Sequence, residues 1–97
     1  MDNFINEAIK SIEEKLKGND VDGSIKFNIE DSGSIVINNG KVYESEEETD
    51  CTLISDAETF QGMFEGNIEP TSAFMSGKLK IEGSMGTAMK FNSIFTN

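Results

Sequence analysis

The residues able to do covalent chemistry are few, and their surroundings suit it poorly. The 97-residue chain contains no histidine. That removes the commonest general base and the commonest nitrogen ligand for a metal. The single cysteine, Cys51, has no imidazole to activate it, and its strand-like context points to a small core residue. Asp50 beside it would raise a thiol pKa, not lower it. Ser55 and Ser84 fall at expected helix starts, where serine ordinarily caps. Gly83-Ser84-Met85-Gly86 has neither the lysine nor the later glycines of a nucleotide loop. Glu44-Ser45-Glu46-Glu47-Glu48-Thr49-Asp50 gathers hard oxygen ligands of the kind calcium takes. It lacks the ligand spacing and turn glycine of a calcium loop, so a solvated strand end and loop is expected. Catalysis, a metal site and a cofactor are all unexpected on these grounds.

The charge narrows the partners. Eighteen acids against eight lysines give a net charge of −10. Such a field repels phosphate backbones, which argues against nucleic acid, and it disfavours general adsorption to anionic membranes. The balance is uneven. Residues 71–97 hold Lys78, Lys80 and Lys90 against Glu82, a balance of +2, so residues 1–70 carry −12. The three lysines read either as solvated surface charges or as a less repulsive face. No run approaches the roughly 20 apolar residues of a membrane span. The first ten residues lack a basic region and an unbroken apolar stretch, so no secretory signal is expected. The end, Phe95-Thr96-Asn97, is not a peroxisomal address. With one cysteine no internal disulfide forms, and a reducing cytoplasm is the expected location.

The apolar inventory is richer. Phe60, Met63, Phe64, Phe74, Met75, Met85, Met89, Phe91 and Phe95 all fall in expected helices of the second half. Two readings are open. Methionine and phenylalanine fill irregular gaps in cores, and they also line adaptable apolar cavities.

The elements that must position these residues follow from periodicity. Phe4, Ile5, Ala8, Ile9, Ile12 and Leu16 recur at helical spacing, with Asp2 or Asn3 to cap and Gly18 to end the helix. Ile25, Phe27 and Ile29 alternate as a half-buried strand. Asp31-Ser32-Gly33 turns into a second strand, Ser34 to Asn38, and Asn39-Gly40 supplies a two-residue hairpin turn into a third, Lys41 to Glu44. Cys51 to Ile54 reads as a fourth. Ser55 and Glu58 form a capping-box pattern for a helix with Phe60, Met63 and Phe64 on one face, stopping at Gly66. Pro70 suits the first turn of a short helix with Ala73, Phe74 and Met75, ended by Gly77. A strand from Lys78 to Glu82 leads into a last helix carrying Met85, Ala88, Met89, Phe91, Ile94 and Phe95. The first three strands can form an antiparallel meander, and a helical crossover suggests that the fourth and fifth run parallel. The expected fold is α+β, one domain over 1–97, with helices covering one face of a mixed five-stranded sheet.

One stretch is more specific than any periodicity. Phe74-Met75-Ser76-Gly77-Lys78-Leu79-Lys80-Ile81-Glu82-Gly83-Ser84-Met85-Gly86-Thr87-Ala88-Met89-Lys90 closely resembles the C-terminal signature of the sterol carrier protein type two domain family. That signature is an aromatic residue, Gly-Lys-Leu-Lys-Ile-x-Gly, and a helix with Met-x-x-Ala-Met-Lys. Asp50-Cys51-Thr52-Leu53-Ile54-Ser55 resembles the family's strand before the capped helix, and Phe64-Glu65-Gly66-Asn67-Ile68-Glu69-Pro70 its link to the next. The similarity covers nearly the whole chain. It implies a mixed five-stranded sheet covered by helices, and an apolar tunnel that accepts sterols, fatty acids or fatty acyl-CoA. By position, the resemblance places Phe60, Met63, Phe64, Phe74, Met75, Leu79, Ile81, Met85 and Met89 in the tunnel lining. The acidic composition, the compact length and the absent peroxisomal tail separate it from eukaryotic members and favour a small bacterial-type carrier.

The leading expectation is therefore a lipid-binding or lipid-transfer protein without covalent chemistry. Its partners would be a hydrophobic small molecule and, transiently, a membrane surface, but not nucleic acid. The alternatives are a packed interaction module without a usable tunnel, and an accessory domain that delivers acyl-CoA to an enzyme.

Overall fold

The computed structural model describes residues 3–17 and 23–96, without the side chains of Asn3 and of residues 92–96. The capping position Asp2, the helix-ending Gly18 and the side chains of Ile94 and Phe95 lie outside the described residues. The element order is α1 (Asn3–Leu16), β1 (Ser24–Ile29), β2 (Gly33–Asn38), β3 (Lys41–Glu44), β4 (Cys51–Ser55), α2 (Ala57–Glu65), α3 (Pro70–Met75), β5 (Lys80–Gly83) and α4 (Met85–Thr96).

The sheet order is β3-β2-β1-β4-β5. β1, β2 and β3 form the expected antiparallel meander. Asn39 and Gly40, with φ of 51° and 87°, make the tight turn, because a two-residue hairpin turn of this hand needs positive φ at both positions. The parallel pair is β1 with β4. β4 and β5, expected parallel, are antiparallel instead: Ile54 pairs with Lys80 and Cys51 with Gly83, so β5 starts where β4 ends. A single crossover helix would have returned the chain to the start of β4. Here α2 and α3 together take it out and back, and the returning strand runs the opposite way.

Strand alternation sorts the two faces. Ile25, Phe27 and Ile29 of β1, Ile35 and Ile37 of β2, and Cys51 and Leu53 of β4 are buried in one core. α1 packs over β2 and β3, while α4 packs over β1, β4 and β5 and touches both α1 and α2. Ile5, Ala8 and Ile12 of α1 enter the core, as do Phe60 and Met63 of α2 and Phe91 of α4. The Phe60 and Phe64 rings meet Phe27 edge-on at centroid distances of 5.5 and 6.2 Å. Such pairs add about 0.5–1.5 kcal/mol each beyond burial.

The acidic stretch runs across the other face, between β3 at the edge and β4. Lys26 Nζ donates to the Glu46 carbonyl at 3.4 Å, Ser34 Oγ donates to the Glu46 carboxylate at 3.2 Å, and Tyr43 Oη donates to Glu47 at 2.9 Å. Val36, on the face away from the helices, is fully buried and stands in register between Lys26 and Tyr43, two of the side chains that reach this stretch. Among the described residues, no group of three or more acids, cysteines or histidines could hold a metal ion.

Two local expectations change by one or two residues. Ser55 stays in β4 opposite Ile29, and its carbonyl accepts from Glu30 N at 2.9 Å. The cap of α2 therefore passes to Asp56, whose Oδ1 accepts from Thr59 N at 2.7 Å. That bond holds the Asp56 carboxyl below its ordinary range, helped by the Thr59 hydroxyl and Lys78. The last strand starts at Lys80, not Lys78. The amides of Lys78 and Leu79 both donate to the Ala73 carbonyl, at 2.9 and 3.0 Å, which closes the end of α3 and buries Leu79 before the strand begins.

Candidate functional site

The candidate site is an apolar cavity of about 230 Å³ between the end of the sheet and the last two helices. Leu53 of β4 and Leu79 form its buried floor. Pro70, Thr71 and Phe74 of α3 make one wall, Ile81 of β5 another, and Met85, Ala88 and Met89 of α4 the third. Among the described residues no charged side chain lines it, and Thr71 is the one that brings a hydroxyl.

Local sequence explains this arrangement. Pro70 starts α3, and its missing N–H costs nothing at a first turn. Phe74 is then one turn on, over the cavity. Gly83 lets β5 approach β4 so closely that a Cβ there would sit 2.5 Å from the Asp50 carbonyl oxygen. Ser84 N donates to that carbonyl at 2.9 Å, and Ser84 Oγ caps α4 by accepting from Thr87 N at 3.2 Å. The entry of α4 is thus tied to the start of β4, and Met85 and Met89, one turn apart, share the flank that faces the opening. Phe91 points the other way, into the core.

The nine residues named from the sequence fall into four places. Phe74, Leu79, Ile81, Met85 and Met89 line the cavity. Phe60 and Met63 are core residues. Phe60 and Phe64 also border a different groove of about 280 Å³, between α1 and α2, with Phe4, Lys15 and Glu65. Met75 lines neither and is 80% exposed. Within the lining, Met89 is 74% exposed and forms the rim, with Phe74 at 42% and Met85 at 49%. The sequence reading omitted Leu53, Pro70, Thr71 and Ala88 from the lining. Ala88 had a usable signal, since it lies three residues after Met85 and so on the same helical side.

Elsewhere the chemistry is quiet. Cys51 is buried beneath the sheet's helix-covered face, and burial first, then the Asp50 charge, push its thiol pKa up. Among the described residues no helix is long and apolar enough to cross a membrane.

The SCP-2 sterol transfer family matches residues 5–96. The chain belongs to that family. It is 31% identical to sterol carrier protein 2 of Homo sapiens over 105 residues, covering 92% of this chain and 19% of that protein. It is 47% identical to hydroxysteroid dehydrogenase-like protein 2 of Xenopus tropicalis over 51 residues, 53% of this chain and 12% of that protein. The chain thus spans a fifth or less of these relatives. The fold matches the solution structure of a sterol carrier protein from Aedes aegypti in complex with palmitate, with a TM-score of 0.79 and 19% identity, over 98% of this chain and 96% of that one. The α+β architecture read from the sequence is therefore that of the family.

Proposed function

We propose that residues 1–97 form one sterol-carrier-like domain that binds a lipid non-covalently and carries it. The observation that supports this most is the cavity: about 230 Å³, lined by apolar side chains and Thr71, with no charged group among the described residues to bind a polar substrate. A lipid there would be held by burial, at roughly 25 cal/mol per Å² of apolar surface removed from water. The Aedes aegypti protein of the same fold holds palmitate, which is consistent with a single acyl chain. The missing histidine and the buried Cys51, whose thiol pKa is raised, fit a carrier without catalysis, and a cytoplasmic location fits a lone free cysteine. The exposed rim of Phe74, Met85 and Met89 suits brief contact with a membrane during loading.

A second reading is that the domain serves an enzyme by presenting its lipid substrate. The match to a stretch of hydroxysteroid dehydrogenase-like protein 2 favours it. Delivery would then require lipid binding too.

Melting of delipidated protein tests the shared step. A fatty acid at 100 times its dissociation constant should stabilise the fold by about 2.7 kcal/mol. In a domain this small that is a rise of about 10–20 °C in Tm. An unchanged Tm with fatty acids, sterols and acyl-CoA would leave the packed interaction module as the answer.

A further inference from the structure

The cavity is small, about 230 Å³, and its floor is hard. Leu53 and Leu79 are buried, and Leu53 stands in register with Phe27 and Ile81 across three strands. Close-packed interiors do not open without cost. The other end is soft, because Phe74 on the α3 side and Met85 and Met89 on the α4 side of the mouth are largely exposed. A methylene takes about the volume of a water molecule in the liquid, roughly 30 Å³, so a space of this size holds about eight of them. A sterol skeleton has more than twice that many carbons in a rigid frame. No wall carries a cation for a carboxylate or phosphate, so a charged head group has no partner inside.

Resting on the carrier reading above, we propose that this cavity takes the methyl end of one unbranched chain, holds about its last eight carbons, and excludes sterol. The head group and any further carbons lie at the Phe74, Met85 and Met89 rim. Affinity then depends on chain length in two regimes. Inside the cavity each added methylene is fully buried, at about 0.8 kcal/mol, which is about fourfold in Kd. Beyond the floor-to-rim length each further methylene is half in water and changes Kd by less than about twofold.

The test is a series of straight-chain fatty acids, hexanoate to palmitate, and cholesterol, each competed against a fluorescent fatty acid on delipidated protein below micellar concentrations. The expected result is a Kd that tightens about fourfold per methylene up to decanoate and then levels off. Cholesterol should bind at least about tenfold more weakly than decanoate. Two variants should move the break in opposite directions. Leu53→Ala deepens the floor and should shift it longer by about two to three carbons, since the change removes three carbons from a branch two carbons long. Ala88→Leu narrows the wall and should shift it shorter by a similar amount. Steady tightening through palmitate, cholesterol binding as well as decanoate, or a break that neither variant moves would overturn the proposal. Absence of binding by every chain would instead remove the carrier reading on which it rests.

Discussion

Replacing Gly83 by alanine is expected to cost about 3–5 kcal/mol of folding stability, a large share of what a small domain has. Two penalties add at this site. Its φ is +93°, a region that costs an L-residue about 1–2 kcal/mol. The new Cβ would also meet backbone, the Asp50 carbonyl oxygen at 2.5 Å and the Cys51 Cα at 3.2 Å, and neither can swing aside as a flexible side chain could. Relief would require β5 to move off β4, which would loosen the Ser84 amide bond to the same carbonyl and the start of α4 with it. Gly66 and Gly77 provide the control. Their φ values are +82° and +85°, but nothing lies within 4 Å of an added Cβ. Alanine at either should cost only the backbone term, about 1–2 kcal/mol. Urea midpoints of the three variants check this. A Gly83→Ala cost no greater than that of Gly77→Ala would mean that the β4–β5 contact is not fixed by this glycine.

Ala88→Glu is expected to weaken fatty-acid binding by at least about 100-fold while leaving the fold nearly as stable as before. Ala88 is half-buried in the cavity wall. A glutamate there would occupy part of the space and set a carboxylate against the acyl chain. An unpaired carboxylate pressed against hydrocarbon is strongly unfavourable, so the chain is expelled. The cavity opens at the rim, so the new charge can stay hydrated when the ligand is absent. Met75→Glu is the matched control, because Met75 is 80% exposed and outside the lining. It adds the same charge nearby and should change Kd by less than about threefold, since exposed charges interact weakly through water. Calorimetry with decanoate on both variants measures the difference. Equal losses would point to general charge repulsion, and no loss in Ala88→Glu would place the ligand elsewhere.

The parts of the fold set by local rules were legible in the sequence. The apolar spacing from Phe4 to Leu16, the alternation of Ile25, Phe27 and Ile29, and the Asn39-Gly40 turn each point to one structure, because period and turn chemistry are properties of neighbouring residues. Pairing between distant strands is not such a property. The direction of β5 depends on how far α2 and α3 carry the chain, and short helices do not declare their packing angles in sequence. Ser55 and Asp56 are both able to cap, and only the ladder to Ile29 and the Glu30 amide decides between them. The site was half legible for a related reason. The last helix has apolar residues at Met85, Ala88, Met89 and Phe91, more than one face of a helix, so periodicity could not say which would meet the core. Phe91 does, and Met85 and Met89 turn to the opening. Phe60 and Met63 carry the same chemistry as the lining, but α2 sits over Phe27 and spends them in the core.

The central claim is that a lipid occupies the cavity between α3, β5 and α4. A methyl-resolved NMR titration of delipidated protein with decanoate tests it most directly. The account predicts saturable shifts in the methyl signals of Leu53, Leu79, Ile81, Met85, Ala88 and Met89, with the signals of Ile35 and Ile37 of β2, buried in the core three strands along the sheet from β5, nearly unmoved. Shifts confined to Ala8 and its neighbours along the α1–α2 groove, or no saturable shift at any methyl, would contradict it.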